Sequence, residues 1–296
     1  MLDIKKVQST NTVTIVGVLK ELDIEEKNTA DGRGYVQGKA VIKVDQEIGG
    51  KMVENEIPVR MFSMRLKKDQ TKNAVYDGIV KMANDFTSLA AADDPSLASK
   101  VTITSGQIQE SNWLDKQTGA PKSGFQISSN FMRKANPDDD QSATFELSGV
   151  IGNISEEIDR DGEETGRLLI KFITIGYLGK AEVITLVAEN PVAVNHIRSH
   201  WEKGDTVSLT GIINMTYKVV HWTEEQGFGE PIKRSRTESR RELIITGGSP
   251  CGLDEELSYD SDSIKLALDE RAARIASLSE KKTTQTAPSK TTDFGF

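Results

Sequence analysis

The chain says the same thing twice. Val13-Thr14-Ile15-Val16-Gly17-Val18 returns 132 residues later (149 − 17) as Phe145-Glu146-Leu147-Ser148-Gly149-Val150. An Asp-Gly pair follows each copy at a similar distance, Asp31-Gly32 in the first and Asp161-Gly162 in the second. Each half then closes with a strand-like segment ending in glycine, Val101-Thr102-Ile103-Thr104-Ser105-Gly106 and Val207-Ser208-Leu209-Thr210-Gly211. A repeat of this period implies two copies of one small domain rather than a single large one. The first closing segment is one residue longer than the second, which leaves its register open.

With 296 residues, each copy has enough chain to bury its own core. No apolar run reaches the roughly 18 residues of a membrane span, and Met1–Lys6 lacks the apolar stretch of a secretion signal. Cys251 stands alone, so an intrachain disulfide and a cysteine-based zinc site are both excluded, and a cytoplasmic setting fits. The net charge of −8 argues at first sight against a polyanionic partner. Its distribution matters more, because Lys233, Arg234, Arg236, Arg240 and Arg241 crowd together, and nucleic acid needs a basic track rather than a basic total.

Alternating apolar residues predict strands at 13–19, 35–44, 55–62, 100–108 and 125–132 in the first half. Between the third and fourth, Val75, Ile79, Met82, Phe86 and Leu89 recur at helical spacing over 73–89. The second half repeats the order, with strands at 143–151, 167–177, 181–187, 206–215 and 240–246 and a helix at 192–202. The expected layout is therefore mainly β. A first domain spans 1–133 with a helical insertion at about 64–99, a linker at 134–142 carries Pro137 and three aspartates, and a second domain spans 143–250. Ile264, Leu268, Ile275 and Leu278 predict a C-terminal helix within 251–278. Residues 279–296 lack the apolar content to fold and end in Asp293-Phe294-Gly295-Phe296.

The order β-β-β-α-β, with its fifth strand beyond a long loop, is that of the OB fold, a small barrel that binds oligonucleotides on its strand 2–3 face and between its 1–2 and 4–5 loops. The Val-x-Ile-x-Gly strand, the hairpin, the later Val-x-Leu-x-Gly strand and the tail ending in Phe resemble single-stranded DNA-binding proteins of bacteria and their phages, in a tandem OB form. The resemblance covers about residues 10–250 and, separately, the tail. It implies a non-enzymatic protein that binds single-stranded DNA without strong sequence preference during replication, recombination or repair. It also implies partner recruitment through Asp293, Phe294 and Phe296, although the dense acidic stretch and terminal Pro-Phe of the family tail are missing here. A monomer or a homodimer suits two linked domains. The rival reading is an OB-based module that binds another protein and no nucleic acid.

Single strands are held by aromatic faces stacking on bases and by cations that follow the phosphates. Trp113, with Lys116 and Lys122, reads as lying in the first 4–5 loop. Trp222 reads as lying in the second, with Tyr217, Phe228 and the run Lys233, Arg234, Arg236 and Arg240. That run makes the second copy the expected seat of the stronger electrostatic grip. On the strands, Arg60, Phe131 and Arg133 are further candidates; Arg60 and Phe62 alternate with Val59 and Met61, so one of these pairs faces outward. Phe125 reads as core, and Phe131 as sharing its face. Lys171 and Tyr177, six apart, read as one strand face of the second copy. Trp201 reads as helix packing.

Catalytic and metal-binding constellations are not expected. His196 and His200 have i, i+4 spacing but no acidic or cysteine companion. Asp159–Glu164 lacks the alternating oxygens of a calcium loop and reads as a hairpin turn. Gly176–Lys180 lacks the spacing of a phosphate loop. No cofactor is implied.

Overall fold

Apolar alternation appears in the computed structural model as long strands, each burying one face only. The structure describes residues 3–4, 6–225, 228, 230–249 and 258–285. β1 (Asn11–Asn28), β2 (Gly34–Ile48) and β3 (Lys51–Met64) precede α1 (Ala74–Asp85), and β4 (Lys100–Leu114), β5 (Pro121–Ser128) and the two-residue β6 (Arg133–Lys134) follow it. The second half runs β7 (Ser142–Ile158), β8 (Glu164–Ile175), β9 (Ala181–Ala188), α2 (Pro191–His200), β10 (Thr206–Glu224) and β11 (Ile232–Gly248), and ends in α3 (Ser261–Gln285). Mainly β is thus the fold class. None of the described helices is long and apolar enough to cross a membrane.

In the first unit, pairing runs β1-β2-β3-β5-β4 and returns to β1. The β3–β5 rung is parallel and only two residue pairs long, Val59↔Ile127 and Arg60↔Ser128. The second unit repeats the cycle as β7-β8-β9-β11-β10 and back to β7, with β9 and β11 meeting at the single pair Val187↔Ile244. Each unit is thus a curled sheet with a narrow seam. β1 also pairs with β7 from Asn11↔Leu147 to Val16↔Ser142, and one continuous core spans both units.

The repeat extends to its details. Thr29 N donates to Arg33 O and Asp159 N to Glu163 O, both at 2.9 Å, so each Asp-Gly pair closes an equivalent hairpin turn. The register of β1 on β2 shifts between Leu19 and Glu21, and that of β7 on β8 between Ile151 and Asn153, again 132 residues apart. The extra residue of Val101–Gly106 is absorbed as a bulge. Val13 faces Gly106 and Ile15 faces Ile103, whereas Phe145 and Leu147 face Gly211 and Leu209 without a slip.

Several expected boundaries move. α1 starts where Asn73 accepts a hydrogen bond from Val75 N, and it buries Tyr76, Ile79 and Met82. It stops at Asp85 rather than continuing to 89, because the chain turns extended at Phe86 and Leu89 N bonds to Leu19 O of β1. Residues 134–142 are tied down: Ala135 N bonds to Lys100 O, Lys100 Nζ to Pro137 O at 2.6 Å, and Asp45 N to Gln141 Oε1 at 3.0 Å. α3 continues through Gln285, past the expected end at 278. It packs Ile264 and Ala267, with Tyr259, against Ile4, Val150, Ile173 and Ala181, and Arg271 Nε reaches both Glu110 carboxylate oxygens, at 2.8 and 3.0 Å. Trp201 is buried, although it caps the C-terminal end of α2 in an extended conformation instead of lying within the helix.

Candidate nucleic-acid interface

The outer face of the first unit is assembled from strand registers. Lys39 pairs with Arg60 and Gln37 with Phe62 across β2–β3. Across β4–β5 the pairs are Gln107 with Ser128, Gln109 with Gln126, Ser111 with Gly124, and Trp113 with Lys122. Since alternate residues share a face, these positions look outward while Val36, Ala40, Val59, Ile108 and Ile127 fill the core. Between the two pairs of strands lies an open groove of about 850 Å³, lined by Gln37, Lys39, Arg60, Phe62, Gln107 and Gln126 among others, with Phe131 at its margin.

The loop after β5 fixes that margin. Ser129 N donates to Arg60 O at 2.9 Å, and Asn130 Oδ1 accepts from Phe62 N at 3.0 Å. Ser129 Oγ donates to Phe131 O and accepts from Phe131 N. Phe62 and Phe131 are therefore held at one groove while remaining 53% and 59% exposed. Tyr35 backs Phe62, ring centroids 5.6 Å apart. An exposed phenylalanine pinned by backbone hydrogen bonds supplies a stacking surface at little ordering cost.

Charge in the groove is mixed. Arg60 has no carboxylate partner among the described residues, whereas Lys39 lies 3.8 Å from Glu21. On the β1 side stand Asp23 and Glu25, the latter held below the usual carboxylate range by Lys27 and by Gln37, whose Nε2 donates to it at 3.0 Å. The floor is chiefly amide: Gln37, Gln107, Gln109, Gln126 and Asn130.

The remaining candidates scatter. Trp113 and Trp222 are on strands rather than in loops, because the β4–β5 and β10–β11 hairpins keep their backbone ladders well beyond the core that produced the apolar alternation. Trp113 remains exposed and lies over Gly124, where a Cβ would sit 3.1 Å from the indole. Lys116 is exposed in the hairpin turn. Lys122 is engaged by Asp115, whose carboxyl is held far below its ordinary value by Lys122 and by the backbone N–H groups of Thr118 and Gln117. Phe131 lies beyond the end of β5 instead of sharing a strand face with buried Phe125. Arg133, on β6, is exposed in a neighbouring depression that also touches Phe131 and Phe86.

In the second unit, Lys171 Nζ donates to Thr185 Oγ1 at 2.8 Å. Tyr177 does not share its face: β8 ends at Ile175, and Tyr177–Gly179 form a short 3-10 turn as Gly176 N closes onto Lys180 O. The basic run divides between the two faces of β11. Arg234, Arg236 and Arg240 lie on the side of Trp222, Lys233 and Arg241 on the other. Arg234 is paired with Glu224 at 2.8 Å.

Arg241 turns toward the first unit. Its guanidinium lies 5.0 Å from the Phe125 ring centroid and donates to Phe125 O. Partial burial, and then the charge of Arg60, lower its pKa below the usual arginine value. Asn55 of β3 meanwhile accepts from Met215 N of β10 at 2.8 Å. The foot of the β10–β11 ribbon is therefore seated against β3 and β5.

Of the sequence candidates, the groove unites Arg60 and Phe131, joined by Phe62. The glutamines were missed, although Gln107 and Gln109 stand two apart on a strand and so share a face. Asp293, Phe294 and Phe296 lie outside the described residues. Among those residues, no group of three or more His, Cys, Asp or Glu side chains is placed to hold a metal ion.

A family model described as YorF matches residues 9–282. No curated protein matches the chain. Two solved structures of the single-stranded DNA-binding protein from Thermus aquaticus resemble it. A deletion mutant is 10% identical with a TM-score of 0.49, over 86% of this chain and 98% of that one. The wild type is 11% identical with a TM-score of 0.47, over 87% and 99%.

Proposed function

The chain belongs to the YorF family, and we propose that it binds single-stranded DNA in the groove of its first unit. The observation that carries this reading is the meeting of two exposed, backbone-pinned phenylalanines, Phe62 and Phe131, in one groove with Arg60, which has no carboxylate partner among the described residues. Stacking on such rings contributes about 1–3 kcal/mol per base, and a base must be free of its duplex neighbours to reach them. The amide floor suits the donors and acceptors of exposed base edges. We read each curled sheet as an OB barrel, and the groove then falls on the strand 2–3 face that this fold uses for oligonucleotides.

In this reading the protein is a non-enzymatic coat for unwound DNA in bacterial or phage replication and recombination, and its final residues, including Phe294 and Phe296, recruit another protein. A second reading, docking of a protein partner in the same groove, draws on Asp23 and Glu25, which would oppose phosphate and attract basic side chains.

Titration of labelled oligo-dT and of duplex DNA at two salt concentrations separates the two. The proposal expects tighter binding of the single strand, weakening as salt rises. Equal or absent binding of both DNAs would overturn it in favour of the protein partner.

A further inference from the structure

The two copies are built alike, yet the positions that form the groove in the first are occupied differently in the second. Glu25 and Glu157 are equivalent, 132 residues apart. Gln37 lies opposite Glu25 in the β1–β2 register, and Arg167 is ion-paired to Glu157. Phe62 lies opposite Gln37, and Glu189 follows β9 beside Arg167. Gln126 lies opposite Gln109, and its counterpart Glu242 lies opposite Asn214. Where the first unit presents Gln37, Phe62 and Gln126, the second presents Arg167, Glu189 and Glu242.

These second-unit residues engage one another. Arg167 lies 3.1 Å from Glu157, 3.6 Å from Glu189 and 2.9 Å from Glu242, and Asn214 Nδ2 donates to Glu242 at 3.1 Å. Burial disfavours the Arg167 charge, but Glu242, Glu157 and Glu189 outweigh that effect and raise its pKa. One guanidinium among three carboxylates leaves the patch negative. A strand laid there would break these pairs, set carboxylates against phosphates and find no aromatic ring at the place of Phe62.

We propose that the chain has one DNA-binding surface, the groove of the first unit, and that the matching face of the second unit is closed by the Arg167 cluster. This rests on the reading of the chain as a single-stranded DNA-binding protein. The second copy then acts as scaffold, with its own face withdrawn from DNA. The expectation that the second copy holds DNA more strongly is thereby replaced by a single site on the first.

Native mass spectrometry of the full chain with a short oligo-dT, of about 8 nucleotides to match one OB-sized site, tests this directly. Wild-type protein is expected to take up a single equivalent. The double variant R60A/F62A, altered only at exposed side chains, should take up none while keeping the wild-type melting temperature. Lys171→Ala, on the second unit, should still take up one. Two equivalents on the wild type, or one retained by folded R60A/F62A, would overturn the single-surface proposal and leave DNA binding standing. If R60A/F62A does not fold, the wild-type stoichiometry decides alone. No uptake by the wild type would remove both the functional reading and this inference.

Discussion

Val13 of β1 pairs with Phe145 of β7, and the two occupy the same position in their respective copies. An antiparallel ladder centred on a residue and its own counterpart is what a two-fold axis generates, so the units meet as the subunits of an isologous dimer do, within one chain. Each of the pair also faces a glycine, Gly106 across from Val13 and Gly211 across from Phe145.

The larger Phe145 makes its glycine the less replaceable. A Cβ at Gly211 would lie 2.3 Å from the Phe145 ring and 2.2 Å from Ile244 O, whereas at Gly106 it would lie 3.0 Å from Val13 Cβ. Gly211→Ala should destabilise by about 1–3 kcal/mol through overpacking, and Gly106→Ala by less. Urea unfolding of the two variants checks the order.

Phe62 and Phe131 should act as separate stacking platforms. Each replacement by Ala is expected to weaken oligo-dT binding by about 1–3 kcal/mol, a factor of roughly 5 to 150, with little change in melting temperature because both rings are already exposed. Arg60→Ala should instead lower the salt dependence, reducing the slope of log affinity against log salt by about one. Fluorescence anisotropy across a salt series reads both effects.

The docking of α3 combines its apolar face with one buried ion pair. Glu110 has a side chain only 3% exposed, and Arg271 approaches it along the guanidinium edge. Removing Arg271 leaves that carboxylate buried and unpaired, a loss near the lower end of the ~3–5 kcal/mol found for breaking buried pairs. Arg271→Ala should speed hydrogen exchange and trypsin cleavage within 261–285, and adding Glu110→Gln should restore part of the protection. Unchanged exchange in the single variant would contradict this account of the helix.

Asp115 holds the tip of the β4–β5 hairpin, accepting from Gln117 N and Thr118 N, each at 2.9 Å. Its pKa is depressed below the ordinary 3.8 by Lys122 first and by these amides next. A depressed carboxyl contributes order that is complete above its unfolded pKa and lost as pH falls through the folded one. The Gln117 and Thr118 amide resonances should therefore hold their native shifts as pH falls through 3.8, and move only at lower pH.

Much of the architecture was legible because it repeats. The Gly17 and Gly149 strands, both hairpin turns and both helices follow from short-range patterns that occur twice. Strand lengths were not legible, since the outer halves of β4, β10 and β11 bury little, and their ladders are held by a neighbouring strand that alternation does not report. The same cause misplaced Trp113 and Trp222 in loops. Arg60 was found through strand alternation, but the partners that make it a site, Gln107, Gln126 and Asn130, come from a distant strand pair and from the loop after it. The difference between the two faces needed the registers that bring Arg167 to Glu157, Glu189 and Glu242, residues spread over more than eighty positions.

Ultraviolet cross-linking of oligo-dT to the full chain, followed by peptide mass spectrometry, tests the central claim most directly. The account predicts cross-links within 35–39, 58–64, 105–109 and 126–131, chiefly at Phe62 and Phe131. Cross-links concentrated instead in 167–171 and 183–189 of the second unit, or none at all, would contradict it.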